Sequence, residues 1–489
     1  MRSSCRSIFR SLVLSALSFC LLPVLVVGTA LFAGCDSGGG SSTACETPPC
    51  DADSGEEERG LNPLVPQRYR YDGWQEEAEW RDRARRRIEN HRMDSLEVTV
   101  VDADGNPVEG ATVDVQMKRH EFHFGTAVNA DIMREQTSSD ADPYRKHLRE
   151  NFNYATIENR LKVYRWEAGE SEKEDVHFTV DWLSDHDFGV RGHAAFWEEW
   201  WWMNIDENQL GSEVHQQVKS KIRDRLTEFE GHMTDWDAQN HPFHRSQIRP
   251  KVASDIGVTE KEVVAEWWKA ANEADAQARM GINEQNILVP YDCCDWASDY
   301  RSYIQDLIDR GVEVEGIGVM GHANVNRFTG IPEVLNRLQR LGEFGIPLYI
   351  SEFHITLEDW GSEDTQWSGA TQTEKDAQTA YLRDFLTAFF SIPQADTFVY
   401  WTFWEGRAWR RTSALYGPNW YLRDHGEKFQ ELVRERWWTD RERETGGEGT
   451  VAVQGFKGTY AVSVTEGDRS GSASATLSDG GASVEVTIE

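Results

Sequence analysis

Hydrophobic and polar positions divide the chain into stretches of different period. Leu12 to Phe32 is a mainly apolar run, and from Asp36 to about Pro63 the residues are mostly Gly, Ser, Asp and Glu. Trp74 to His91 reads as a charged helix. Leu96-Glu-Val-Thr-Val-Val, a turn at Asp102-Ala-Asp-Gly-Asn, and Ala111-Thr-Val-Asp-Val-Gln-Met then form a hairpin-like β unit. Beyond it, short apolar strands alternate with long amphipathic stretches. The strands end near Asn129, Asn159, Trp197, His241, Asn286, His322, Ile355 and Trp404. Helices between them include Glu207–His232, Thr259–Ala274 and Thr371–Phe390, and Thr259-x-x-Glu262 has the form of a capping box. Eight strand–helix units over roughly three hundred residues predict an α/β chain closed into a (β/α)8 (TIM) barrel. A doubly wound sheet, the alternative, would need a Gly-rich phosphate turn after its first strand, and there is none. Gly449 to Glu489 alternates strongly and reads as a small C-terminal β module.

The ends of these stretches set the expected organisation. Residues 1–35 carry Arg2, Arg6 and Arg10, then the apolar run, then Leu31-Phe32-Ala33-Gly34-Cys35. A basic start before an apolar core is a secretory signal, and its ending resembles a bacterial lipobox with Cys35 as the lipidated residue. An uncleaved membrane anchor is the alternative, since the run is nearly long enough to span a bilayer. Either reading places the rest outside the cytoplasm, in the cell envelope. Residues 36–65 read as a flexible linker, 66–119 as the N-terminal helix and β unit, 120–440 as the barrel and 441–489 as the β module.

Composition changes this picture in three ways. The formal net charge is −32, which disfavours nucleic acid and anionic membrane surfaces as partners. Only 12 of the 51 Lys and Arg residues are Lys, and an acidic, Lys-poor surface is the pattern of adaptation to high salt. Of seven Cys, three (Cys5, Cys20, Cys35) lie in the leader, Cys45 and Cys50 could pair in an oxidising envelope, and Cys293 and Cys294 are adjacent. No CxxC or zinc-ribbon spacing appears, and disulfides do not define the fold. The 20 Trp suit core packing and also stacking on sugar rings. No cofactor is implied, and the chain is expected to act as a monomer.

In barrel enzymes the C-terminal strand ends carry the chemistry. Here they carry Glu158-Asn159 with Lys162, Arg191-Gly-His193 with Trp197, Trp236-Asp237-x-x-Asn240-His241, Asn283-Glu284-Gln285-Asn286, Gly316-x-Gly-x-x-x-His322, Ser351-Glu352-Phe353-His354, and Trp401-x-x-Trp404 with Trp409 beyond. One such residue is usually a solvated rim group or a satisfied hydrogen-bonder. The ordered set across seven of the eight ends is not accounted for that way.

That order resembles the family 10 glycoside hydrolases, the endo-β-1,4-xylanases, over about residues 120–438. The resemblance implies a polysaccharide substrate and a retaining mechanism with two carboxyl groups, a nucleophile and an acid/base. Carried over position by position, Glu352 matches the nucleophile and His322 the residue that orients it. Asn240 matches the group that holds the sugar 2-hydroxyl. Glu158, Asn159, Lys162, His193 and Trp197 match the pocket for the sugar, and Trp401 and Trp409 its aromatic floor and wall. The chain departs from the family at four positions: the acid/base Glu is His241, a Gln is Met320, a Tyr is Gln285, and an Asp beyond the nucleophile is His354. Three readings follow. A retaining glycosidase would draw its proton from His241, since imidazole can act as a general acid, or from Glu198, Glu199 or Glu284. Loss of catalysis would leave a polysaccharide-binding barrel. A metal-binding barrel would use His241, His322 and His354 together with Glu352.

Overall fold

A computed structural model describes residues 67–290, 294–357 and 365–489. The expected signal, Cys35, the Cys45–Cys50 pair and the linker lie outside the described residues. Among the described residues no helix is long and apolar enough to cross a membrane.

Strands are numbered along the chain. β1 (Met93–Asp102) and β2 (Thr112–His120) precede the barrel. The barrel strands are β3 (His123–Val128), β4 (Tyr154–Ile157), β5 (Gly189–Trp197), β6 (Asp235–Asn240), β7 (Arg279–Glu284), β8 (Gly316–Asn324), β9 (Leu348–Thr356) and β10 (Ala395–Tyr400). They pair in parallel as β10-β3-β4-β5-β6-β7-β8-β9, and β10 closes back onto β3. The expected (β/α)8 barrel is therefore closed, and among the described residues no doubly wound sheet forms. β11 (Asp440–Glu444), β12 (Thr450–Phe456), β13 (Gly458–Glu466), β14 (Arg469–Leu477) and β15 (Ala482–Ile488) follow it.

The strand and helix patterns act through burial. Every residue of β8 and β9 is buried, because the helices cover one side of the sheet and packed side chains fill the other. The barrel floor is polar but paired. Asp235 accepts hydrogen bonds from Tyr154 (2.5 Å) and Tyr349 (3.0 Å) and pairs with Arg279, while Arg191 lies 4.1 Å over the Tyr349 ring. Gly192 is required beside Trp236, since a Cβ there would meet the indole at 2.1 Å. Helix Glu260–Ala274 begins with Thr259 and Glu262 bonded reciprocally, as the capping box demands. Helix Gln372–Phe390 uses the same device through Thr371 and Glu374, a Thr-x-x-Glu signal that the sequence also carries. Trp80, Trp236, Trp267 and Trp268 are fully buried, so core packing accounts for these four indoles.

Two elements depart from expectation. β1 and β2 are not a hairpin: β1 lies between β12 and β15, whereas β2 lies between β11 and β13. The turn after β1 closes only on itself, with Asp102 Oδ1 accepting from the Asp104 and Asn106 amides, and Gly110 at φ 76° redirects the chain to the second sheet. The N-terminal β unit and the C-terminal β module consequently share both sheets. The last barrel strand ends at Tyr400 rather than near Trp404, since Thr402 takes φ 65° and breaks the ladder.

Candidate active site

The strand ends open into a cleft of about 1240 Å³. Glu158, Asn159 and Lys162 reach it from the end of β4, His193 and Trp197 from β5, and Asn240 and His241 from β6. His322 reaches it from β8, Glu352 from β9, and Trp401 and Trp409 from beyond β10. The structure thus brings all eleven of these side chains to one cavity. Met320 and Gln285, two departures from the family pattern, line it as well.

Glu352 is a buried carboxyl with donors on both oxygens. His322 Nε2 stands 3.2 Å from Oε2, and Asn283 Nδ2 3.5 Å from Oε1. Burial pushes the Glu352 carboxyl up, but the His322 hydrogen bond and the charges of His193, His322 and His241 outweigh it and hold the pKa down at about 2. The group is an anion across the working range of an enzyme.

Behind it, His322 Nδ1 lies 3.1 Å from His354 Nδ1, so one hydrogen is shared between two imidazoles. Burial, His322 and Arg410 push His354 well below the usual histidine range, which keeps it neutral. With its nitrogens engaged by Glu352 and His354, His322 does not join His241 in a ligand set. Among the described residues no group of three or more His, Cys, Asp or Glu could hold a metal ion. That geometry does not favour the metal-binding alternative.

Asn240 is wholly buried. Its Oδ1 accepts from Asn283 Nδ2 at 3.0 Å, and among the described residues its Nδ2 has no partner. A buried donor without an acceptor costs roughly 1–3 kcal/mol, which a ligand hydroxyl would relieve. His193 is oriented from below, with Nδ1 2.8 Å from Asp237, itself 3.4 Å from Arg191. Glu158 is buried and pushed up to about 7 by that burial, against the opposing pull of Lys162. Lys162 Nζ donates to Asn159 Oδ1 at 2.9 Å.

His241 stands at φ 55°, a strained backbone for a non-glycine residue. Its amide donates to Asn283 O (2.8 Å), its ring lies 4.5 Å from Trp197, and its Nδ1 is 2.9 Å from Glu284 Oε1. The other proton-donor candidates do not line the cleft. Glu198 is turned into Gln239 and Arg249, Glu199 pairs with Arg245, and Glu284 is wholly buried beneath His241.

Sequence reasoning missed Trp202, which lines the cleft and stacks on Trp197 at 4.5 Å and 6°. One face of Trp197 is therefore occupied by protein, and Trp202 also lies under Lys162 at 4.9 Å. Arg245 and Arg407 at the rim were missed too. The available signal was position, since all three lie on loops just past barrel strands.

The glycosyl hydrolase family 10 model matches residues 114–429. The anti-sigma-I factor RsgI6 of Acetivibrio thermocellus is 29% identical over 402 residues, covering 79% of this chain and 47% of that protein. Endo-1,4-beta-xylanase 1 of Arabidopsis thaliana is 26% identical over 372 residues, covering 74% of this chain and 35% of that one. The chain spans less than half the length of these two relatives. Xylanase 10B of Thermotoga petrophila, solved with xylobiose, superposes with a TM-score of 0.54 at 19% identity, over 65% of this chain and 95% of that one. This last likeness concerns the fold.

Proposed function

Because the chain belongs to glycosyl hydrolase family 10, we propose that it cleaves β-1,4-linked, xylan-like polysaccharide with retention, using Glu352 as nucleophile and His241 as proton carrier. The observation that supports this most is Glu352, a carboxylate kept ionised inside a cleft by His322. In the first step Glu352 attacks the anomeric carbon while the protonated His241 gives its proton to the departing sugar oxygen. In the second, neutral His241 takes a proton from water as that water displaces Glu352, and the carboxylate is restored. The unpartnered Asn240 amide donates to the sugar 2-hydroxyl. Glu158, Asn159, Lys162 and His193 hold the polar edge of the sugar, Trp401 and Trp409 its faces, and Trp197 backs the pocket through Trp202. The protein acts as an exported monomer, tethered to the envelope by lipid on Cys35.

Release of reducing sugar from xylan tests the reading. Glu352→Gln is nearly isosteric and removes the attacking charge, so turnover should fall by at least ~10³-fold with little loss of xylo-oligosaccharide binding. The absence of a carboxyl at position 241 favours a second reading, a glycan-binding barrel without catalysis. Wild type and variant that bind alike and both fail to cleave would establish it.

A further inference from the structure

An imidazole in place of a carboxyl needs its ring oriented and its proton placed, because its two nitrogens are not equivalent. Glu284, the last residue of β7, has a fully buried side chain. Its Oε1 accepts the Gln285 amide at 2.7 Å and lies 2.9 Å from His241 Nδ1, and its Oε2 accepts the Phe243 amide at 2.8 Å. Both oxygens already accept backbone N–H groups, His244 N on Oε2 at 3.4 Å among them, an arrangement that suits an accepting carboxylate with the hydrogen on His241 Nδ1. Nε2 is then the nitrogen that gains and loses a proton. The Trp197 ring and the His241 amide bond to Asn283 hold the imidazole from other sides. The other charged or titratable groups facing it are His244, at 5.4 Å between rings, and Glu352, with Arg245 and Glu199 paired further out.

We propose that Glu284 is the positioning residue of a carboxylate–imidazole pair, fixing His241 as the Nδ1–H form, aiming Nε2 into the cleft and favouring the protonated ring at the start of the cycle. This rests on the hydrolase reading for the destination of the proton, and not for the pair itself. Through both steps Glu284 stays ionised: the proton leaves Nε2 for the sugar oxygen as the glycosidic bond breaks, and returns to Nε2 from the water that frees Glu352. The net reaction is addition of one water across the bond.

Glu284→Gln tests this, with two readouts. With activity, the basic limb of the kcat profile on xylan should move to lower pH by about one unit or more, kcat at neutral pH should fall about tenfold, and KM should hold. Turnover of a dinitrophenyl glycoside into the covalent intermediate, which needs little protonation, should be nearly unchanged, and Glu284→Asp should restore much of the wild-type limb. Independently of activity, nitrogen-15 histidine NMR of the wild type should show Nδ1 of His241 protonated throughout while Nε2 titrates, and Glu284→Gln should lower that titration midpoint. An unmoved midpoint, or a wild-type spectrum in which Nδ1 loses its proton first, overturns the pair. A protein that cleaves no glycan but shows the shift keeps the pair and loses the hydrolase reading. Should the Gln variant not fold, the wild-type spectrum alone decides.

Discussion

Burial pushes both cleft carboxyls upward, yet Glu352 ends at about 2 and Glu158 at about 7, because their neighbours differ. Glu352 has a hydrogen bond and three imidazole charges, whereas Glu158 has Lys162 as its main offset. The signs of their linkage to stability are opposite. Glu352 binds its proton less tightly when folded, so it contributes stability above the ordinary carboxyl range that is lost as pH falls through about 2. Glu158 binds its proton more tightly when folded, so it lowers stability as pH climbs from the ordinary carboxyl range through about 7. The deficit at pH 8 is roughly 3 kcal/mol at most. Glu158→Gln should accordingly raise the melting temperature at pH 8, have much less effect near pH 4, and raise KM for xylo-oligosaccharides. A melting difference that is the same at both pH values would contradict this account of Glu158. None of these shifts could be seen in the sequence, where Glu158 and Glu352 are both strand-end glutamates. What separates them is which side chains other strands bring against them.

At the scale of elements, alternation located the barrel strands to within a few residues, and the Thr259–Glu262 box marked a helix start. Periodicity reports which face is buried, not which strand lies alongside, and the β1–β2 misreading follows from that. The turn at 102–106 is locally well formed, so only long-range pairing could reveal that β1 and β2 belong to different sheets. Trp202 escaped notice for a related reason, since its stacking on Trp197 arises from a loop without periodicity. The shared sheets have a consequence for stability. Removal of residues 441–489 would strip β1 of β12 and β15, and β2 of β13 and most of β11. Two isolated strands with apolar faces cannot stand alone. The shortened protein should melt roughly 10 °C or more below the full chain, or aggregate. An unchanged melting temperature would show that the barrel does not depend on these sheets.

For the whole molecule, the chain carries a formal net charge of −32, and in its cleft Glu352 is held ionised by imidazoles. The long-range field affects solubility and salt response, while the site's protonation is set by contacts within a few ångströms. The proposed envelope location rests on Arg2, Arg6 and Arg10, the apolar run from Leu12 to Phe32 and the Leu-x-Ala-Gly-Cys35 ending. Labelled palmitate should enter the wild-type protein and not Cys35→Ser, and equal incorporation would rule the lipid anchor out.

The central claim is that Glu352 forms a covalent bond to the sugar. A xylobioside with a dinitrophenyl leaving group and fluorine at carbon 2 forms that bond but releases it slowly, and its first step needs little help from His241. Intact-mass measurement after incubation should show one added xylobiosyl group per chain, and peptide mapping should place it on Glu352. No added mass, or an adduct on any other residue, would contradict the account.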